Sequence, residues 1–187
     1  MNISKEAKII LLKAARQSIG SLFGGKEPEK PDYEKYPELK SESGAFVTLT
    51  INKQLRGCIG YIIGHAPLFE TVCDAAIQAA INDPRFPPLK EKEFDKIKIE
   101  ISVLGNFTPI KSYDDIIIGK HGLLLEEGGR GLLLPQVATE HNMSREEFLT
   151  ALCHKAGLYG SYWKERVLKI KTFTAEVFSE DEFKEEL

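Results

Sequence analysis

The residues that can do chemistry sit close together in "QLRGCIGYIIG", Gln54 to Gly64. Arg56 and Cys58 are two apart. If this stretch is a strand, both point to one face, roughly 6–7 Å apart along it. A guanidinium near a thiol favours the thiolate, which is the nucleophilic form. The same guanidinium can instead fork a carboxylate or a phosphate. Gly57 and Gly60 flank the cysteine, although glycine weakens a strand interior. By alternation Gly57 lies on the core face, where something packs closely. Gly60 lies beside Cys58, where a missing side chain leaves room for a ligand. The opposing expectation is structural: a small buried thiol, and an Arg56 that pairs with an acid.

Further candidates lie elsewhere in the chain. A cysteine nucleophile needs a base, and His121 is the best placed by sequence, as the residue that opens a strand. Asp83 and Arg85, with Phe86, occupy the proline-rich "NDPRFPPL" after a helix. They either fix that loop, with Asp83 accepting backbone N–H groups, or add charge to the Arg56/Cys58 site. "GGRG" at Gly128 reads as a hairpin turn needing positive φ rather than a phosphate cradle. The four histidines form no HExxH-type pair and the three cysteines no CxxC pair. The sequence therefore implies neither metal nor cofactor, and no disulfide framework.

The elements that must position these residues follow from periodicity. Ser4 caps an amphipathic helix to about Leu22, with Ala7, Leu11, Ala14 and Leu22 on one stripe. Residues 24–43 hold three prolines and many charges, a composition that suits a lid or binding loop. Tyr33, Tyr36 and Leu39 would pin it to the body. "AFVTLTI" and "LRGCIGYII" form a hairpin. A three-residue loop Asn52-Lys53-Gln54 places Thr50 opposite Arg56 and Thr48 opposite Cys58, with Leu55, Gly57, Ile59 and Tyr61 on the core side. A helix follows over Pro67–Ile81, then a strand with Ile97, Ile99, Ile101 and Val103 on one face.

The second half repeats this plan. Arg56-Gly57 matches Arg130-Gly131, 74 positions on, and the helix near 67–82 maps onto 141–156. "HGLLLEE" and "RGLLLP" form a hairpin, a helix follows from Ser144 to Ala156, and "TAEVFS" closes the chain as a strand. The expectation is an α+β fold, two-lobed, with mostly antiparallel sheet built from two duplicated strand–helix–strand units plus an N-terminal helix. One domain would span 1–187, with a larger lobe of about 1–110 plus the C-terminal strand and a smaller lobe of about 111–165.

The formal net charge of −3 argues against general nucleic-acid binding. No apolar run reaches the ~18 residues of a membrane span, and the N-terminus lacks a signal-peptide h-region. The reading is a cytoplasmic protein with reduced thiols.

"GAFVTLTINKQLRGCIG", "DPRFPPL", "IEISVL", "HGLLLEEGGRGLLLPQVA" and "FLTALCHKAGL" occur in that order. Together they resemble the AMME syndrome candidate family, whose prokaryotic members are also called AmmeMemoRadiSam system protein A. The resemblance runs from about Ala7 to Phe178, and "LRGCIG" is the family's signature. It implies a two-lobed α+β fold and no particular reaction. It also implies two partners, a Memo-like protein and a radical SAM enzyme. The signature carries over onto Leu55, Arg56, Gly57, Cys58, Ile59 and Gly60. "RFPP" carries over onto Arg85 to Pro88, preceded by Asp83, and "HG" onto His121 and Gly122. Members often have a glycine before "LRGC", where this chain has Lys53-Gln54. Two functions follow as expectations. One is a system component with a ligand or partner pocket around the Arg56/Cys58 strand. The other is a thiol-dependent enzyme using Cys58 on a small anionic or peptide-borne substrate.

Overall fold

The computed structural model describes residues 2–187. In chain order the elements are α1 (Lys5–Ser21), β1 (Ala45–Ile51), β2 (Gln54–Tyr61), α2 (Leu68–Ile81), α3 (Glu91–Phe94) and β3 (Lys98–Leu104). Then come β4 (Thr108–Pro109), β5 (Gly122–Leu125), β6 (Gly131–Leu133), α4 (Pro135–Glu140), α5 (Arg145–Lys155), β7 (Ile170–Phe173) and β8 (Ala175–Ser179). The described residues divide into two compact units, one of residues up to 104 with 176–187, the other of residues 105–175. The described residues form an α+β fold, with two antiparallel four-stranded sheets and five α-helices.

In the larger unit the sheet order is β2-β1-β3-β8, so β2 is an edge strand. α1 begins where expected, because Ser4 Oγ accepts the Ala7 N–H at 3.3 Å. Leu11, Val72, Val47, Ile99 and Phe178 are buried between the helices and the inner sheet face. Each such side chain contributes roughly 1.5–3 kcal/mol by leaving water. Residues 24–43 carry no regular element beyond a 3-10 turn at Pro37–Lys40. Leu39 is fully buried there, and Tyr33 and Tyr36 pack on the core. Ser4 Oγ donates to Glu38 Oε1 at 2.6 Å, tying this segment to the start of α1.

The smaller unit has the order β4-β7-β5-β6. Ser144 caps α5 through a capping box with Glu147. Phe148, Leu152, Leu123, Leu125 and Ile170 form its core. Gly128 takes φ +72°, the positive value expected of its turn. The repeat is visible in both sheets. Each places the second hairpin strand at one edge, then the first hairpin strand, then the strand after the helix. Each is completed by a strand that directly follows the other unit's third strand in the chain.

Some elements differ from expectation. "TAEVFS" forms the closing strand β8 as expected, but a strand not foreseen, β7, precedes it across a break at Thr174 and belongs to the other sheet. α3, α4 and β4 are short additions whose periodicity is too brief to register.

Candidate functional site

The hairpin that carries "LRGCIG" turns more tightly than expected. Asn52 and Lys53 have φ of 53° and 64°, and Ile51 pairs with Gln54 across a two-residue loop. This is the primed turn whose twist matches its strands. Thr50 then pairs with Leu55, but Leu49 pairs with Gly57. Arg56 is therefore the extra residue of a β-bulge. The bulge restores the expected Thr48–Cys58 pairing that a two-residue loop alone would have lost. It also moves Leu55 off the core face, where it is 42% exposed.

The two glycines are needed for different reasons. A Cβ on Gly57 would overlap the Ala79 carbonyl oxygen, so α2 packs directly on the strand backbone there. The counterpart recurs in the smaller unit, where a Cβ on Gly131 would lie 3.0 Å from the Leu152 carbonyl oxygen of α5. Gly60 does not leave the expected gap. It pairs with Phe46, whose ring and backbone occupy the space a side chain would take. An aromatic covering its cross-strand glycine restores packing that the glycine alone would lose.

Arg56 does not bond the thiol. Its Nε and Nη2 fork Glu93 at 2.9 and 3.1 Å. That hydrogen bonding, with the Lys90 N–H, holds the Glu93 carboxyl down at about 2. Asp83 and Arg85 are the charges that reach Cys58, and they grip its main chain. Asp83 Oδ2 accepts the Cys58 N–H at 2.9 Å, and Arg85 Nη2 donates to the Cys58 carbonyl at 3.3 Å. Arg85 also donates to both Asp83 oxygens, at 2.9 and 2.7 Å. This bonding holds the Asp83 carboxyl well below the usual carboxylate range. Phe86 follows, with the Arg85 guanidinium 5.6 Å from its ring centre. Because β2 is an edge strand, Asp83 and Arg85 fill the main-chain positions an added strand would use.

Burial pushes the Cys58 thiol up from its ordinary value. A hydrogen bond from Thr48 Oγ1 at 3.3 Å and the nearby Arg85 charge oppose this more weakly. His121 falls in the other unit, where its Nδ1 accepts the Ile117 N–H at 3.2 Å. On the outer sheet face, Cys58, Thr48 and Glu100 form one cross-strand row of thiol, hydroxyl and carboxylate. Glu93 and Glu100 were absent from the sequence candidates. Glu100 had a signal, as a charge at an outward position between Ile99 and Ile101. Glu93 had none, since its partner is 37 residues away. Among the described residues no cluster of three metal-ligating side chains occurs.

The AMMECR1 family model matches residues 12–178. The chain belongs to the AMMECR1 family. A Methanothermobacter thermautotrophicus protein is 42% identical over 188 residues, 96% of this chain and 97% of its own length. Protein TV1384 of Thermoplasma volcanium is 40% identical, covering 97% of this chain and 92% of its own. The crystal structure of an uncharacterized Pyrococcus horikoshii protein superposes with a TM-score of 0.86 at 38% identity. It covers 95% of this chain and 93% of that one. In this AMMECR1 chain "LRGCIG" thus lies on an edge strand whose outward main chain is held by Asp83 and Arg85.

Proposed function

We propose that this AMMECR1 chain is a non-catalytic component of a three-protein system of the AmmeMemoRadiSam type, acting in the cytoplasm. Its presented surface is the β2 edge with Asp83, Arg85 and Phe86, and its partner is the Memo-like protein or the radical SAM enzyme. The partners come from the resemblance, and the surface comes from the geometry. One observation carries the choice against catalysis: the reactive groups of the signature are internally neutralised. Arg56 is matched by Glu93, Asp83 by Arg85, and burial keeps Cys58 a neutral thiol at pH 7. Such a set fixes shape and leaves Arg85, whose side chain is 51% exposed, as the outward contact. Three free thiols and the absence, among the described residues, of any helix able to cross a membrane are compatible with that compartment.

The test is co-purification of each partner with tagged wild-type, Arg85→Glu and Arg56→Ala chains. Retention of either partner by wild type and its loss with Arg85→Glu is expected. Undiminished capture by Arg85→Glu defeats the proposed surface. A second reading, with Cys58 as nucleophile, draws on the Arg85 charge beside the half-buried thiol. It requires Cys58 to react with iodoacetamide at pH 7 faster than an ordinary free thiol. The expected result is slower reaction, accelerating only in alkali.

A further inference from the structure

A second place in the larger unit, lined by no residue of "LRGCIG", has the features of a ligand site. It is a groove of about 390 Å³ between α1, α2 and the segment following α1. Ser18 of α1 lines it and is only 2% exposed, yet its Oγ has no hydrogen-bond partner among the described residues. A helical serine commonly bonds back to a carbonyl one turn earlier, and this one does not. The Cys73 thiol lies close enough for the Ser18 hydroxyl to favour its thiolate form, but sulfur is a weak acceptor and does not meet the hydroxyl's hydrogen-bonding capacity. The hydroxyl of Tyr33, from the segment that borders the groove, is also buried and unpartnered. It lies within electrostatic reach of Glu70, Lys30 and Cys73, all of which line the groove. Buried hydroxyls left without partners are costly, so a hydrogen-bonding occupant is favoured there.

The walls and the rim fix the occupant's character. Phe69, Ile77 and Pro28 supply an apolar lining. Glu27, Glu70 and Asp74 surround the mouth, against a single cation, Lys30. Lys30 is spent on Glu70 at 2.8 Å. Asp74 accepts from uncharged donors, the Tyr61 hydroxyl and the Gln78 amide. The rim is therefore net negative over an apolar floor with a buried hydroxyl. The Lys30–Glu70 pair is well exposed and screened, so it closes the segment over the groove only weakly.

We propose that this groove binds a small aryl- or alkylamine that carries a second hydrogen-bonding group. The protonated amine sits at Glu27 and Asp74, the body lies on Phe69 and Ile77, and the far hydroxyl meets Ser18. This is independent of the surface around β2, and neither proposal depends on the other.

Tyramine, phenethylamine and tyrosol are suitable probes, because they separate charge from hydroxyl on one frame. A ligand of about ten heavy atoms should bind with a Kd near ~1 mM. By calorimetric titration of the full chain, tyramine should bind about tenfold more tightly than neutral tyrosol, and more tightly than phenethylamine. Ser18→Ala should lower tyramine to the phenethylamine level and leave phenethylamine unchanged. Tyramine should also slow iodoacetamide alkylation of Cys73 measured at alkaline pH. Ile77→Trp, which fills the groove from a partly exposed position, should abolish both effects. Equal binding of tyrosol overturns the amine assignment. Absence of saturable binding with Cys73 unprotected means ordered water only, and overturns the site. So does undiminished binding to Ile77→Trp.

Discussion

Asp83→Ala removes the centre of the grip on Cys58, and its cost can be worked from the bonds it makes. The Asp83 side chain is 2% exposed and accepts the Cys58 N–H, the Arg85 N–H and two guanidinium hydrogens. Losing it strands the Cys58 N–H, which costs about 1–3 kcal/mol if water does not replace the carboxylate. The ion pair adds less, because half of the Arg85 side chain is in water and rehydrates when freed. The expected loss is thus about 3 kcal/mol, and about 2 kcal/mol for Asp83→Asn, which keeps one acceptor. The sign of the pH dependence follows from the direction of the shift. Arg85 holds the folded carboxyl below its unfolded value of about 3.9. Its contribution is present above that value and disappears as pH falls through the lower folded one. Urea unfolding followed by circular dichroism should give a constant wild-type minus Asp83→Asn difference from pH 7 to about 5, shrinking below about 4. Hydrogen exchange in residues 54–61 should rise at the Cys58 amide in Asp83→Ala. A difference under about 0.5 kcal/mol, one unchanged down to pH 2, or an unaltered Cys58 amide would refute the grip.

Other substitutions test neighbouring parts of the hairpin. Gly57→Ala should cost about 3 kcal/mol or more in thermal or urea unfolding, since its methyl meets helix backbone that cannot rotate away. Gly131→Ala should cost less, because its Cβ would sit 3.0 Å from the equivalent carbonyl. Lys53→Gly should stabilise by about 0.5–1 kcal/mol, because Lys53 occupies a positive-φ turn position that glycine adopts freely. The Asp74 hydrogen bond pushes the Tyr61 hydroxyl up to about 12. Its stabilisation is full below the unfolded phenol value of about 10 and is lost as pH rises through about 12. Absorbance titration at alkaline pH should therefore lose its latest phenol in Tyr61→Phe.

What the sequence reveals here depends on how local the cause is. Ser4 and Ser144 announce helix starts because a cap acts on amides three residues away. The core stripe Ile97, Ile99, Ile101 and Val103 is legible because alternation is a property of the strand itself. The pairing of Cys58 with Thr48 is legible although the turn and the bulge are not, because a three-residue loop without a bulge and a two-residue loop with one give the same register there. Contacts between distant segments left no such mark. Nothing near Arg56 points to Glu93, and nothing near Gly60 says that Phe46 covers it. A pairing of His121 with Cys58 is equally beyond local pattern, since the two belong to different units. Strand β7, just before "TAEVFS", is hidden because no glycine or proline marks Thr174 as a break between two strands.

The internal repeat separates what the fold requires from what the site adds. Gly57 and Gly131 correspond, and each lets a helix carbonyl approach an edge strand. That shared glycine is scaffolding, since both units need it whatever else they do. The neighbouring positions do not correspond in chemistry. Where the larger unit has Cys58, the smaller has Leu132, and where it has Asp83 and Arg85, the smaller has Gly157 and Tyr159. The reason is visible at the helix ends. α5 is followed by Gly157 at φ +76°, which turns the chain without a side chain. α2 ends at Asn82 with φ −122°, and the chain continues directly into the Asp83 carboxylate that reaches β2. One sheet order is thus built twice, with and without a thiol and a charged grip. The sheet order itself does not call for Cys58, Asp83 and Arg85, because the second copy forms the same order without their equivalents, even though Asp83 stabilises the first copy. In the first copy they set a carboxylate and a guanidinium against the β2 main chain, where the matching positions of the second copy are glycine and tyrosine.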